Sequence, residues 1–238
     1  MYNRNETIKK ALIDSLPVLA GYIVIGIGFG IILQSHGYGI GWAVAMSVLV
    51  YAGSLQYVAI DLISGGASLI TTAVTALMVN ARHLFYAISM LKTYRDMGKA
   101  KAYLAFALTD EVYSLVCTID KDKVPDCVSK KAYCIFLSLF CQCYWVVGSA
   151  MGSLIGAALP FELVGIDFAM TALFTAVLVE QWLSGENRLS AVTGAIVSIL
   201  CLLAFGPDNF LIPTMVLITI ALTVEKKFGL MREEVHDV

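Results

Sequence analysis

Charge is what this sequence has least of. Asp, Glu, Lys and Arg make up 14% of it, against about 25% in a soluble domain. A chain of 238 residues does not need 59% hydrophobic residues to bury a soluble core. That excess, with a mean hydropathy of +0.81, implies a bilayer as the solvent. No basic stripe interleaved with aromatics is present, which argues against a nucleic-acid partner. No C-x-x-C pair occurs among the six cysteines, Cys117, Cys127, Cys134, Cys141, Cys143 and Cys201. Most lie in apolar runs, where cysteine behaves as a small hydrophobe. Neither a disulfide framework nor a metal or other cofactor is expected. G-x-x-x-x-G-K-[ST] is absent, so ATP-driven transport by this chain has no support. H-E-x-x-H, G-x-S-x-G and C-x-x-C-H are also absent, and the chain is not expected to be an enzyme. The opening "MYNRNETIKKALIDSLP" is polar for too long, and lacks the A-x-A-like site, to be a cleavable signal peptide.

Long apolar runs are what the sequence does have. About eight cover residues 15–35, 41–63, 67–91, 101–119, 132–158, 162–183, 189–205 and 209–225. Each is near the ~20 residues that cross a bilayer as helix. The expected fold is all-α: a polytopic helical membrane protein with about seven or eight transmembrane segments. Residues 1–14 form a basic surface lead-in, 15–225 a single transmembrane domain and 226–238 a polar tail. With all eight runs spanning and a cytoplasmic N-terminus, only the basic cluster around Lys92 falls on the wrong side. The run before it is therefore expected to be broken or re-entrant.

The two halves, about 15–100 and 140–225, show a weak repeat. Gly26 and Gly30 align with Gly152 and Gly156, and Trp42-Ala43 with Phe168-Ala169. Gln56 then meets Gln181, and the polar break Asn80–His83 falls near Gly206–Asn209. Such repeats are typical of secondary transporters. Gly26-x-x-x-Gly30 and Gly148-x-x-x-Gly152-x-x-x-Gly156 read as helix-packing rows.

Polar residues inside these runs are the candidates for function. Arg82 lies deep in "TALMVNARHLFYAISML". An arginine at a membrane helix centre costs about 2.5–3.5 kcal/mol on insertion scales. It needs a partner, a wet cavity or a ligand, and its fork suits a carboxylate. Two readings stand: a ligand site, or an ion pair with Asp110, Glu111 or Asp167 that fixes packing. His83 fits a hydrogen-bonded packing role, and Asn80 a capping role at a helix break. Asp110 and Glu111 sit mid-run in "AYLAFALTDEVYSLVC". Adjacent helical residues point about 100° apart, so one can pair with Arg82 while the other titrates or binds a cation. Asp167 lies within "GIDFAM", and Gln56 follows Gly53 and Ser54 in "YAGSLQYVA".

The blocks "YAGSLQYVA", "NARHLFYA", "LTDEVYS" and "GIDFAMTALF", in that order, resemble the AzlC family of bacterial branched-chain amino-acid permeases. The resemblance runs from Leu16 to about Leu222. It implies export of branched-chain amino acids across the cytoplasmic (inner) membrane, with a small hydrophobic AzlD-type subunit. The matching blocks carry Gln56, Asn80, Arg82, His83, Asp110, Glu111 and Asp167 as substrate-binding or coupling residues. Tyr57, Phe85 or Phe168 would wall an aliphatic side chain. "SLQYVA" after Gly53, and Tyr113-Ser114 after the two acids, depart from the family pattern in detail. A channel for a small solute and a non-transporting assembly subunit remain as rival readings.

Overall fold

The computed structural model describes residues 3–91, 93–121, 129–159, 175, 179, 182, 188–206 and 210–227. All regular structure among them is helical. The order is α1 (Arg4–Ser35), α2 (Ile40–Leu49), α3 (Gly53–Ser64), α4 (Leu69–Val79), α5 (Ala81–Ser89), α6 (Ala100–Phe106), α7 (Asp110–Lys121), α8 (Lys130–Ala158), α9 (Arg188–Phe205) and α10 (Leu211–Lys227). The described residues divide into two compact units, one within 1–72 and 79–167, the other within 73–78 and 168–238.

In the first unit α1 and α8 are the helices long and apolar enough to span a bilayer. Helix α1 begins at Arg4, capped by Asn3 Oδ1 on the Asn5 amide at 3.0 Å. The basic lead-in and the first apolar run are thus one helix. It packs along α8 through glycines on both sides. A Cβ on Gly26 would sit 3.0 Å from Ser149 N. One on Gly30 would run into Ser149 O, and one on Gly152 into Ile27 O. Gly148 faces Ile23 O, where a Cβ would lie 2.9 Å away, while a Cβ on Gly156 would lie nearest the side chain of Gln34 and the Cα of Ile31, at 3.1–3.3 Å. Without a hydrophobic driving force between helices in lipid, such close approach supplies the dispersion contact. Polar staples flank the seam. Ser153 Oγ donates to Gln34 Oε1 at 2.9 Å, Ser15 Oγ meets Tyr144 Oη at 3.0 Å, and Tyr133 Oη donates to Asp14 Oδ2 at 2.7 Å.

The run 41–63, expected as one span, is two helices. The chain leaves α2 through Tyr51, whose φ of +42° is left-handed, and re-enters helix at Gly53. A non-glycine residue there costs of order 1–3 kcal/mol. The Trp145 ring lies over the new helix start, 3.1 Å from where a Gly53 Cβ would be. The run 101–119 is broken too. Helix α6 ends at Phe106, and Thr109 Oγ1 accepts from Val112 N at 3.3 Å to start α7. A threonine that bonds nearby backbone competes with helix continuation and favours a cap. The interruption expected at Asn80–His83 is found at Asn80, between α4 and α5.

In the second unit α9 and α10 pack together. Helix α9 stops at Phe205 before Gly206, whose φ is +73°. The break expected at Gly206–Asn209 otherwise lies outside the described residues.

Apolar side chains face outward in both units: Leu69 is 88% and Leu203 79% exposed. Ser47, Gln56, Ser138, Ser149 and Ser153 are buried. An apolar surface around a core that mixes apolar and polar side chains is the distribution a hydrocarbon solvent permits.

Candidate functional site

Three half-helices of the first unit begin at one place. Ser54 is in the first turn of α3, Arg82 in the first turn of α5, and Asp110 and Glu111 in the first turn of α7. Arg82 joins them. Its Nη1 lies 2.6 Å from Asp110 Oδ2, and its Nη2 donates to Ser54 Oγ at 2.5 Å. The pair is not sealed: the two side chains keep 42% and 40% of their accessible surface.

The placement of Arg82 is informative. A helix N-terminus carries roughly half a positive charge, so a cation there is disfavoured by about 0.3–1 kcal/mol. Acids there are favoured, and Asp110 and Glu111 obey that rule. Arg82 breaks it, adding its charge to three positive helix ends. Such a cluster attracts anions. At present Asp110 is the anion it holds.

Glu111 has a different partner. Tyr22 Oη, from α1, donates to Glu111 Oε2 at 2.6 Å and lies 2.6 Å from Thr109 Oγ1. The two adjacent acids are therefore split between α5 and α1, as their angular separation requires.

Asn80 stands at the cap position of α5, but its side chain makes no capping bond. The capping role expected for it is thus corrected: it is the backbone carbonyl of Asn80, not its side chain, that accepts from His83 N, at 2.9 Å. Asn80 Oδ1 is buried with no hydrogen-bond partner among the described residues. His83 is half-buried beside Arg82, edge-on to Tyr86 with ring centroids 6.0 Å apart. Tyr86 stacks on Tyr113 at 4.5 Å.

Gln56 is fully buried, away from the open pair. Its Oε1 accepts from Trp145 Nε1 at 2.8 Å, and its Nε2 donates to Ser47 Oγ at 3.4 Å. Gln56→Leu leaves the buried indole N–H unsatisfied. An expected loss of about 1–3 kcal/mol follows, read as a lower melting temperature in detergent. Tyr57 is likewise buried, its hydroxyl donating to Ile25 O at 2.6 Å and its ring against Phe29. Asp167 and Phe168 lie outside the described residues, as does the side chain of Phe85.

Tyr22 and Trp145 were missed by sequence reasoning. Tyr22 is the one ring in "AGYIVIG", and Trp145 follows Tyr144 in "CYWVVG". Their only signal is a polar tip within a largely apolar run.

Interrupted helices, an outward apolar surface and a charge pair at the breaks define a helical integral membrane protein. The family model described as AzlC protein matches residues 17–159. The chain is 40% identical to the branched-chain amino acid transport protein AzlC of Bacillus subtilis, over 92% of this chain and 85% of that one. It is 39% identical to an uncharacterized membrane protein of Haemophilus influenzae, over 92% and 89% of the two chains. It is 28% identical to the inner membrane protein YgaZ of Escherichia coli, over 90% and 86%. No solved structure matches it. The chain belongs to the AzlC family.

Proposed function

We propose that this protein is a secondary transporter that exports branched-chain or similar apolar amino acids across the bacterial cytoplasmic membrane. It is the large, multi-pass subunit, with about seven or eight spans in two repeated halves, and it works beside a small hydrophobic AzlD-type subunit. Export is coupled to protons. The observation that carries the reading is the Arg82–Asp110 pair, open on one side and set where three half-helices begin. The relatives named above support the substrate class and the inner membrane.

The chemistry follows from the pair. A zwitterion brings one carboxylate and one ammonium. Its carboxylate replaces Asp110 on Arg82, and its ammonium takes the Asp110 carboxylate so released. Both charges of the protein stay paired, as a low-dielectric site demands. Asn80 Oδ1, on the residue two before Arg82, is a buried acceptor with no hydrogen-bond partner among the described residues. His83 and, from outside the described residues, Asp167 complete the candidate set. The buried position of Gln56 makes it a support for the α3 start rather than a contact. One methylene is worth only about 1–3 kcal/mol, so valine, leucine and isoleucine all compete for the site.

The test is efflux of labelled leucine from preloaded cells making the chain with the small subunit. Saturable efflux, inhibited by valine and isoleucine, supports the reading. Linear, unsaturable efflux would point to a channel, and no efflux would remove the substrate assignment.

A further inference from the structure

We infer that Glu111 is the proton-coupling site of this carrier, separate from the substrate pair; this rests on the transport reading above. Four observations lead there.

The first is charge. Arg82 carries one positive charge and Asp110 uses it. Glu111 takes part in neither salt bridge among the described residues. Its direct partner is a hydroxyl, Tyr22 Oη at 2.6 Å. The charged and titratable groups around it are Asp110 and Arg82 of the neighbouring pair, Tyr22 on α1, Tyr51 at the turn before α3, His83 on α5 and Cys141 on α8. The fixed cation among them, Arg82, is already bonded to Asp110. A carboxylate whose direct partner is a neutral hydroxyl can take up and release a proton without breaking an ion pair.

The second is access. Glu111 is exposed although its partner Tyr22 is 5% exposed. In a membrane protein a polar side chain with an open face looks into a wet cavity or the bundle interior rather than lipid. Water in such a cavity delivers and removes the proton.

The third is mechanical linkage. Tyr22 is on α1, which is locked to α8 by the glycine seam. Glu111 is on the half-helix that also carries Asp110. An ionised Glu111 accepts the Tyr22 hydrogen bond and ties α7 to α1. When water gives it a proton, the acid no longer needs that donor and the tie loosens. Release of the proton back to water restores it.

The fourth is local. Tyr22 Oη also meets Thr109 Oγ1, which caps α7 through Val112 N. The proton on Glu111 is thereby read at the same helix start that presents Asp110 to Arg82.

The experiment uses the full chain with its small subunit in proteoliposomes. Labelled leucine counterflow is measured without a gradient, and net leucine flux with an imposed pH gradient. Wild type is expected to show both, the gradient raising flux several-fold. Glu111→Gln is expected to keep counterflow at a reduced rate and lose the response to the gradient. Tyr22→Phe removes a donor that favours the ionised acid, so half-maximal flux moves to higher pH with coupling intact; this variant keeps the proposal testable if Glu111→Gln is not made. A gradient response retained by Glu111→Gln would overturn the proposal, as would an unshifted pH profile in Tyr22→Phe. Wild type that performs counterflow but ignores the gradient would also overturn it, with the transport reading intact. Wild type without leucine counterflow would remove the transport reading and this proposal together.

Discussion

Arg82→Ala is expected to lower leucine transport roughly ten- to a hundredfold at matched membrane abundance, because hydrogen bonds to charged groups contribute about 1.5–3 kcal/mol each. The alanine removes the group that receives the substrate carboxylate. It also leaves Asp110 without a cation and Ser54 without its donor. Arg82→Lys restores charge without the planar fork, so it recovers only a small part of the flux. Asp110→Asn separates a transport role from a structural one. It vacates Arg82 for the substrate carboxylate but offers the ammonium no anion. The transport reading therefore predicts that Asp110→Asn binds a carboxylate analogue lacking the amine better than wild type does, while leucine transport falls. If Arg82→Ala and Asp110→Asn lower abundance and leave flux per molecule unchanged, the pair only fixes packing.

Gly30→Ala is expected to be one of the most damaging single methyls among the described residues, and Gly21→Ala a harmless one. The two glycines lie on the same helix. At Gly30 the new Cβ meets backbone of Ser149 and Ser153, which cannot rotate away. At Gly21 no heavy atom lies within 4 Å. Overpacking costs typically about 1–3 kcal/mol, and backbone contact puts Gly30→Ala at the upper end or beyond it. Gly21→Ala gains up to about 1 kcal/mol of helix propensity instead. Membrane abundance and the melting temperature in detergent should fall sharply for the first and hold or rise for the second. Gly152→Ala, whose Cβ would strike Ile27 O, should behave like Gly30→Ala. Equal stability of the two α1 variants would refute the seam.

The helical class, the apolar runs and the polar positions were legible in the sequence because composition and charge report directly on solvent. Arg82 declared itself by being the one basic residue deep in an apolar run. The break at Asn80 was legible for the same reason: three polar residues cluster there. The breaks at Tyr51 and at Ala107–Thr109 were not. "LVYAGS" and "FALTDE" contain no proline, and the two acids of the second read as polar positions within one apolar run. At the first break the chain turns through a left-handed Tyr51, and the ring against the new helix start comes from Trp145, far along the chain. What stops the helix before Asp110 is the choice Thr109 makes between cap and helix. The division of the acids was half legible. Their angular separation requires different partners, but nothing marked Tyr22 as the second one. Asn80 invited a capping role by type, but its side chain makes no capping bond.

The most direct test of the site is protection by substrate. Ser54→Cys, in a background with the native cysteines replaced by alanine or serine, places a thiol beside Arg82 at the start of α3. Its labelling by a water-soluble maleimide is measured with and without saturating leucine, and with aspartate as a control. The account predicts that the thiol labels, that leucine slows the labelling several-fold, and that aspartate does not. A thiol that labels at the same rate with and without leucine would place the substrate elsewhere and contradict the assignment of the three half-helix starts.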